Sequence, residues 1–238
     1  MTKLNYLFDT YIFESLAKVA EVGENEIGKY LILDETIFYP QGGGQKSDSG
    51  RITSSQGTFI VSVVRMDQNG QVFHYGEFEN GSFVIGESVD LKVDGEGRKL
   101  LARLHSAGHL LDCAVTKLQI PGLKPTKGFH FPEGSYVEYE GNLENPMEYV
   151  SQVEKVLNEL VEQDLKVKIK EITEEEAKKC GIWVPEGKSA RTVSFEGFSS
   201  CGCGGTHVKS SVEIGKVKIR KMVNKKGSLR ISYKLEEV

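Results

Sequence analysis

Cysteine is scarce in this chain, with four among 238 residues, too few for a disulfide scaffold and in keeping with thiols that stay reduced. No apolar run approaches the ~18 residues that a membrane span requires. The opening residues, Met1-Thr-Lys-Leu-Asn-Tyr-Leu7, lack the basic-then-apolar order of a secretory leader. These absences predict a cytoplasmic protein with no membrane partner. Internal repeats and low-complexity tracts are missing too, which excludes solenoids and fibrous arrays. A net charge of −4 gives no overall basic excess, so any contact with nucleic acid must come from a local cluster of cations. What is present is an ordinary globular composition, 39% apolar and 27% charged, in a length that builds one large core or two modest ones.

Up to about Asp94 the pattern is short strands separated by turn signals. Lys29–Leu33, Thr58–Arg65, Val72–Phe78 and Val89–Val93 alternate or run apolar, and Asp67-Gln-Asn-Gly70, Glu79-Asn-Gly81 and Asp94-Gly-Glu-Gly97 punctuate them. Such spacing predicts a small β-barrel, with a domain boundary at Gly95–Gly97 that divides the chain into 1–95 and 96–238. Beyond it, Leu100, Leu101, Leu104, Leu111, Val115 and Leu118 recur at helical spacing over Arg98–Ile120, and Pro121-Gly122 ends the run. Strands follow at Lys127–Phe131 and Ser135–Glu140, then a helix with Met147, Val150, Val153, Leu157 and Leu160 on one face. After a strand at Lys166–Ile172, Thr173-x-x-Glu176 predicts a capping box and Gly181 a helix stop. Strands at Arg191–Glu196, Glu213–Val223 and Ser228–Leu235 finish the chain. Helices on a mostly antiparallel sheet make the second domain α+β, so the fold class is α+β with an N-terminal small β-barrel.

Two short segments carry the chemistry. His105-Ser-Ala-Gly-His109 lies in the first helical run and Cys203-Gly-Gly-Thr-His207 in a glycine-rich loop. Residues at i and i+4 share a helix face, and a glycine-rich loop can wrap closely around a small cation. Three imidazoles with one thiolate suit one Zn2+ per chain better than magnesium or calcium. A lone histidine on an amphipathic helix is usually structural and a buried free cysteine usually inert. Two matched pairs using three of the five histidines favour the metal. Cys201 stands in Cys-x-Cys spacing with Cys203 and is the alternative sulfur; Cys203 is preferred for its Gly-Gly-Thr-His continuation. Cys113 and Cys180 read as packed thiols, and His74 and His130 as ordinary strand residues.

At this point the chain resembles a known family. His105-Ser-Ala-Gly-His-Leu-Leu111, Cys203-Gly-Gly-Thr-His-Val208 and Glu213-Ile-Gly-Lys-Val-Lys-Ile219 are similar to the editing domain of alanyl-tRNA synthetase and its free-standing relatives, the AlaX proteins. Phe38-Tyr-Pro-Gln-Gly-Gly-Gly-Gln45 and Ser47-Asp-Ser-Gly50 add the glycine-rich signature of the longer AlaX forms. The likeness runs in order over nearly the whole chain. It implies a hydrolase acting in trans on tRNA(Ala) mischarged with Ser, with Gly as the second misacylated form. It implies zinc ligands His105, His109, Cys203 and His207, and catalytic roles at His105, His109 and Thr126. Thr126, Lys127 and Gly128 would bind substrate, as would Gly42, Gly43 and Gly44, a loop whose backbone would approach the aminoacyl end. One departure is Gly108, where synthetase editing domains often carry threonine. The glycine run is no ATP site, because Gln45-Lys46-Ser47 replaces the Gly-Lys-Ser/Thr ending of a P-loop.

Between Lys216 and Lys234 eight basic residues occur with no acidic one. Lys216, Lys218, Arg220, Lys225, Lys226 and Arg230 are the candidate tRNA contacts; the other reading is the solvated face of a hairpin whose opposite face is buried. Ser106 stands where His-x-x-x-His metalloproteases carry glutamate, which argues against peptidase chemistry. An aminoacyl ester is already activated and needs mainly a positioned water and a stabilised oxyanion, both within reach of zinc. Four protein ligands equally suit a closed structural site, so an RNA-binding module with structural zinc is the competing reading, and editing in the threonine system a close cousin. The need for such an enzyme follows from selectivity: a pocket for alanine discriminates poorly against smaller glycine or one added hydroxyl, saturating near ~10²-fold.

Overall fold

The computed structural model describes residues 1–120, 122–182, 184 and 189–236; Pro121, half of the expected helix stop, lies outside them. The chain divides into two compact units, Met1–Leu101 and Ala102–Val238, the division falling within the first long helix.

The first unit contains β1 (Lys3–Leu4), β2 (Glu14–Asn25), β3 (Gly28–Leu33), β4 (Glu35–Thr36), β5 (Gly50–Thr53), β6 (Gly57–Met66), β7 (Val72–Gly81) and β8 (Ser88–Val93), then the start of α1 (Gly95–Lys117). Six strands close a barrel in the order β2-β3-β7-β6-β5-β8, while β1 and β4 form a short parallel pair. Alternation drives this. In β8 every second residue, Val89, Leu91 and Val93, points into the core. His74 lies in β7, fully buried between Thr36 Oγ1 at 2.8 Å and the Leu31 carbonyl at 3.0 Å, the strand residue expected.

Gly43 and Gly44 form a two-residue turn between Gly42 and Gln45. Gly42 and Gln45 exchange backbone hydrogen bonds of 3.2 and 2.8 Å, and the left-handed φ of Gly43 (51°) and Gly44 (76°) is what the tight primed turn demands. Asp48, in the adjoining signature, is buried against Arg98. Arg98 Nε donates to both carboxylate oxygens (2.9 and 3.0 Å), Nη1 to the Thr10 carbonyl (2.9 Å) and Nη2 to that of Ile37 (2.6 Å). Both side chains are wholly inaccessible, so each charge depends on the other for its solvation.

The second unit continues α1 and adds β9 (Lys124–Phe129), β10 (Tyr136–Glu140), α2 (Val150–Glu162), β11 (Val167–Ile172), α3 (Glu174–Lys179), β12 (Ala190–Phe195), β13 (Cys201–Gly202), β14 (Val217–Lys225) and β15 (Ser228–Leu235). One antiparallel sheet runs β14-β15-β10-β9 and a second β11-β12-β13. Leu104, Leu111, Val153, Leu157, Ile219 and Ile231 meet in a single core. The edge strand β14 is covered by α2: Asn158 bonds both the N–H and the carbonyl of Val217, and Glu154 accepts from the Ile219 N–H. The capping box at Thr173 and Glu176 forms as expected.

Several features differ from the sequence reading. The strand expected at Lys127–Phe131 runs instead from Lys124 to Phe129, and Cys180, read as a packed thiol, is exposed. Met147 is exposed in a 3-10 turn, Pro146–Tyr149, that precedes α2. Leu100 lies partly in solvent. Glu213 and Ile214 belong to a 3-10 turn, Ser211–Ile214, so the last hairpin begins only at Val217. β2 carries no clear alternating signal, because a bulge between Val19 and Glu21 breaks its register. Among the described residues no helix is long and apolar enough to cross a membrane.

Candidate metal centre

α1 sets His105 and His109 one turn apart on one face, their rings stacked at 5.1 Å. The other two donors come from the loop after β13. Pairing of Cys201 with Val193 in β12 brings that loop under the helix. There the Cys203 N–H donates to the Arg191 carbonyl at 3.0 Å and Arg191 Nη1 to the Cys203 carbonyl at 2.6 Å. The ligand atoms of His105, His109, Cys203 and His207 all lie within 4.8 Å of one another. Cys203 Sγ is 3.4 Å from His105 Nε2 and 3.2 Å from His207 Nε2. Cys201 instead faces His109 Nδ1 at 3.1 Å and is outside the four-atom group.

The surroundings orient these donors. Ser106 Oγ accepts from the Val208 N–H at 3.1 Å and lies 3.1 Å from His207 Nδ1. Held at Nδ1 by this hydroxyl, His207 presents Nε2 to the cluster, the usual support of a metal-ligating histidine. The Gly205 N–H donates to Cys203 Sγ at 3.3 Å.

Burial, reinforced by mutual repulsion and the Arg191 charge, holds His105 and His207 well below the ordinary histidine range; burial and Arg191 bring His109 to about 4. All three are therefore neutral, with lone pairs to give. Burial raises the Cys203 thiol, opposed by the Gly205 N–H and Arg191, and a divalent cation would displace its proton. Three imidazoles and one thiol converging within a single ion's reach fit zinc.

One neighbour had no sequence signal. His130, read from the sequence as an ordinary strand residue, instead lies one residue past β9, where it is buried and stacks on His105 at 4.4 Å. Its Nδ1 is 2.6 Å from the Tyr233 hydroxyl, which itself donates to the Leu104 carbonyl at 2.9 Å. Nδ1 therefore carries the hydrogen and Nε2 the lone pair. The ring fills space left by two glycines: a Cβ on Gly108 would fall 2.3 Å from His130 Cε1, and one on Gly128 2.3 Å from its Nε2. This gives a physical reason for glycine at 108.

Thr126 is exposed and is the bulged residue of β9, between the pairings of Lys127 with Glu138 and Pro125 with Tyr139. Its hydroxyl donates to the Glu138 carbonyl at 3.1 Å. Lys127 is exposed, and Gly128 lies against His130. Of the basic ribbon, Lys216 pairs with Glu236, Lys218 with Glu154, and Arg230 with Glu138 while stacking on Tyr136. Arg220, extra residue of a bulge, Lys225 at the end of β14 and Lys226 in the turn after it are exposed with no carboxylate partner among the described residues. A cavity of about 230 Å³ opens beside His109 and Cys201, lined also by Asp112, Pro125 and Ser194; Thr126 does not line it.

Residues 190–232, which span β12, the metal loop and most of the final hairpin, match the family described as threonyl and alanyl tRNA synthetase second additional domain. Residues 8–97 match class II (A) tRNA synthetases. Over 242 residues the chain is 33% identical to the alanyl-tRNA editing protein AlaX-M of Saccharolobus solfataricus, covering 98% of each. The chain belongs to the alanyl-tRNA editing protein family, AlaX. It is also 32% identical to the AlaX-M protein of Pyrococcus horikoshii, over 99% of each chain, and 32% identical to the AlaX-L protein of that organism, over 98% of this chain and 58% of the other. The AlaX likeness thus takes in both units, whereas the second-additional-domain match lies wholly in the unit holding the four donors.

Proposed function

We propose that this chain is a trans-acting aminoacyl-tRNA deacylase that hydrolyses Ser-tRNA(Ala), and Gly-tRNA(Ala) as a second substrate, at one zinc ion held by His105, His109, Cys203 and His207. The observation that carries this reading is the convergence of those four donors, in a member of the alanyl-tRNA editing family, beside a cavity open to a small acyl group. A zinc ion bound there supplies Lewis acidity at the ester.

The protein's own part is positional. Ser106 holds the ring of His207 at Nδ1, and Gly205 steadies the sulfur of Cys203. In this reading residues 1–95 form a barrel domain whose Gly42–Gly44 turn offers backbone to the aminoacyl end, and 96–238 the editing domain. The Thr126 hydroxyl, released from the Glu138 carbonyl, meets the misacylated residue together with Lys127 and Gly128. Arg220, Lys225 and Lys226 bind tRNA phosphates without an exchange of partners, while Lys216, Lys218 and Arg230 would first leave their carboxylates. The work belongs in the cytoplasm, with translation.

Four protein donors also make a complete tetrahedral set, which favours a second reading, an RNA-binding module with structural zinc. A deacylation assay on Ser-, Gly- and Ala-tRNA(Ala) separates the two. Hydrolysis of the first two and sparing of the third, lost to a chelator and restored by zinc, is the expected outcome. A zinc-loaded protein that binds tRNA and hydrolyses none of them is the structural-zinc module.

A further inference from the structure

The cavity beside His109 holds a carboxylate for which the metal cluster has no use. Asp112 follows His109 by three positions on α1, so the two share a face about 5–6 Å apart at Cβ, and both line the cavity. Asp112 Oδ1 accepts from the Tyr139 hydroxyl at 2.6 Å; Oδ2 has no partner among the described residues. Among the described residues no lysine or arginine lines the cavity. Burial pushes the carboxyl up to about 7 even though the Tyr139 hydrogen bond pulls the other way. A partly buried carboxyl with one oxygen open and no countercharge among the described lining residues is costly unless a cationic ligand completes it.

An aminoacyl ester brings that cation. Its α-nitrogen is two bonds from the ester carbonyl carbon, roughly 2.5 Å by standard bond lengths, so a carbonyl held at the His109 end directs the ammonium along the helix face towards Asp112. We propose that Asp112 binds the α-ammonium group of the substrate, and that the enzyme selects for a free α-amine on the acyl group as well as for its side chain. Ser194, Ser199 and Ser200 also line the cavity and would offer hydroxyls to the seryl side chain. This assignment rests on the deacylase reading and deepens it.

The test compares Ser-tRNA(Ala) with glyceryl-tRNA(Ala), its deaminated counterpart, in which a hydroxyl replaces the ammonium. The zinc-loaded wild type should favour the seryl substrate in kcat/KM by on the order of 10- to 100-fold, the worth of one charge-assisted hydrogen bond. Asp112→Asn, which keeps an acceptor for Tyr139, should lose that preference by slowing only the seryl reaction, with zinc content unchanged. The preference is a ratio within one preparation, so a partly folded variant still reports it. Equal rates on both substrates in the wild type, or an Asp112→Asn enzyme that keeps the preference, overturns the assignment of Asp112 alone. A wild type that hydrolyses neither substrate, nor Gly-tRNA(Ala), overturns the deacylase reading itself.

Discussion

Ser106→Ala removes one oxygen from the centre of the His-x-x-x-His motif and leaves every metal donor in place. Ser106 is wholly buried, as are His207 and Val208, and its Oγ serves both the Val208 N–H and His207 Nδ1. Each buried group left without a partner costs about 1–3 kcal/mol, and the space of one hydroxyl is too small to admit a replacing water. The domain should therefore lose about 2–6 kcal/mol of stability without metal. The larger consequence is at the cation. With Nδ1 unheld, His207 can rotate or change tautomer, and loss of such a support typically lowers metal affinity about 10- to 100-fold. Competition against a chromophoric zinc chelator measures this directly, and urea unfolding of the metal-free protein measures the stability loss. An affinity within twofold of wild type, with an unmoved unfolding midpoint, would refute the claim that this hydroxyl positions His207.

Two further outcomes concern the barrel. Asp48→Asn should destabilise it by about 3–5 kcal/mol in urea unfolding followed by circular dichroism, because Arg98 keeps a buried charge with no counterion; the double change Asp48→Leu with Arg98→Met should recover much of that. His74 gives a pH signature: burial lowers it from 6.5 to about 4, so on acidification the unfolded chain takes up the proton first. Its contribution is complete above about pH 6.5 and falls by up to about 3 kcal/mol towards pH 4. Asp112, raised to about 7, works in the opposite sense, gaining stability as pH falls from 7. Comparison with His74→Gln isolates the histidine, and an unchanged slope in that variant would disprove its role.

Much of the site was legible because its signals are local. The His105 and His109 pair declares itself by helical spacing, the Cys203–His207 loop by its glycines, and the capping box at Thr173 by a three-residue rule. The hairpin at Ser228–Leu235 was readable because one face alternates into the core. What stayed hidden depends on tertiary approach. Nothing near His130 says that its ring will stack on His105, since the room is made by Gly108 from α1 and Gly128 from β9. Asp112 looks like any polar residue on an amphipathic helix until β12 and the loop after it wall off the cavity. The ion pairs of Lys216, Lys218 and Arg230 divide a uniform-looking basic ribbon into paired and open cations, because their carboxylates come from other elements. Bulges at Ala20, Thr126 and Arg220 defeat a strict two-residue period.

The central claim is a single zinc held by three histidines and one cysteine, and elemental analysis of the purified protein beside its two thiol variants tests it most directly. The geometry predicts one zinc per chain in the wild type and in Cys201→Ala, whose sulfur faces His109 Nδ1 and the Val193 carbonyl, and loss of zinc in Cys203→Ala, whose sulfur stands 3.2 and 3.4 Å from two of the imidazoles. Full zinc in Cys203→Ala with loss in Cys201→Ala would contradict the ligand set, and a wild type that takes up no zinc would contradict the account as a whole.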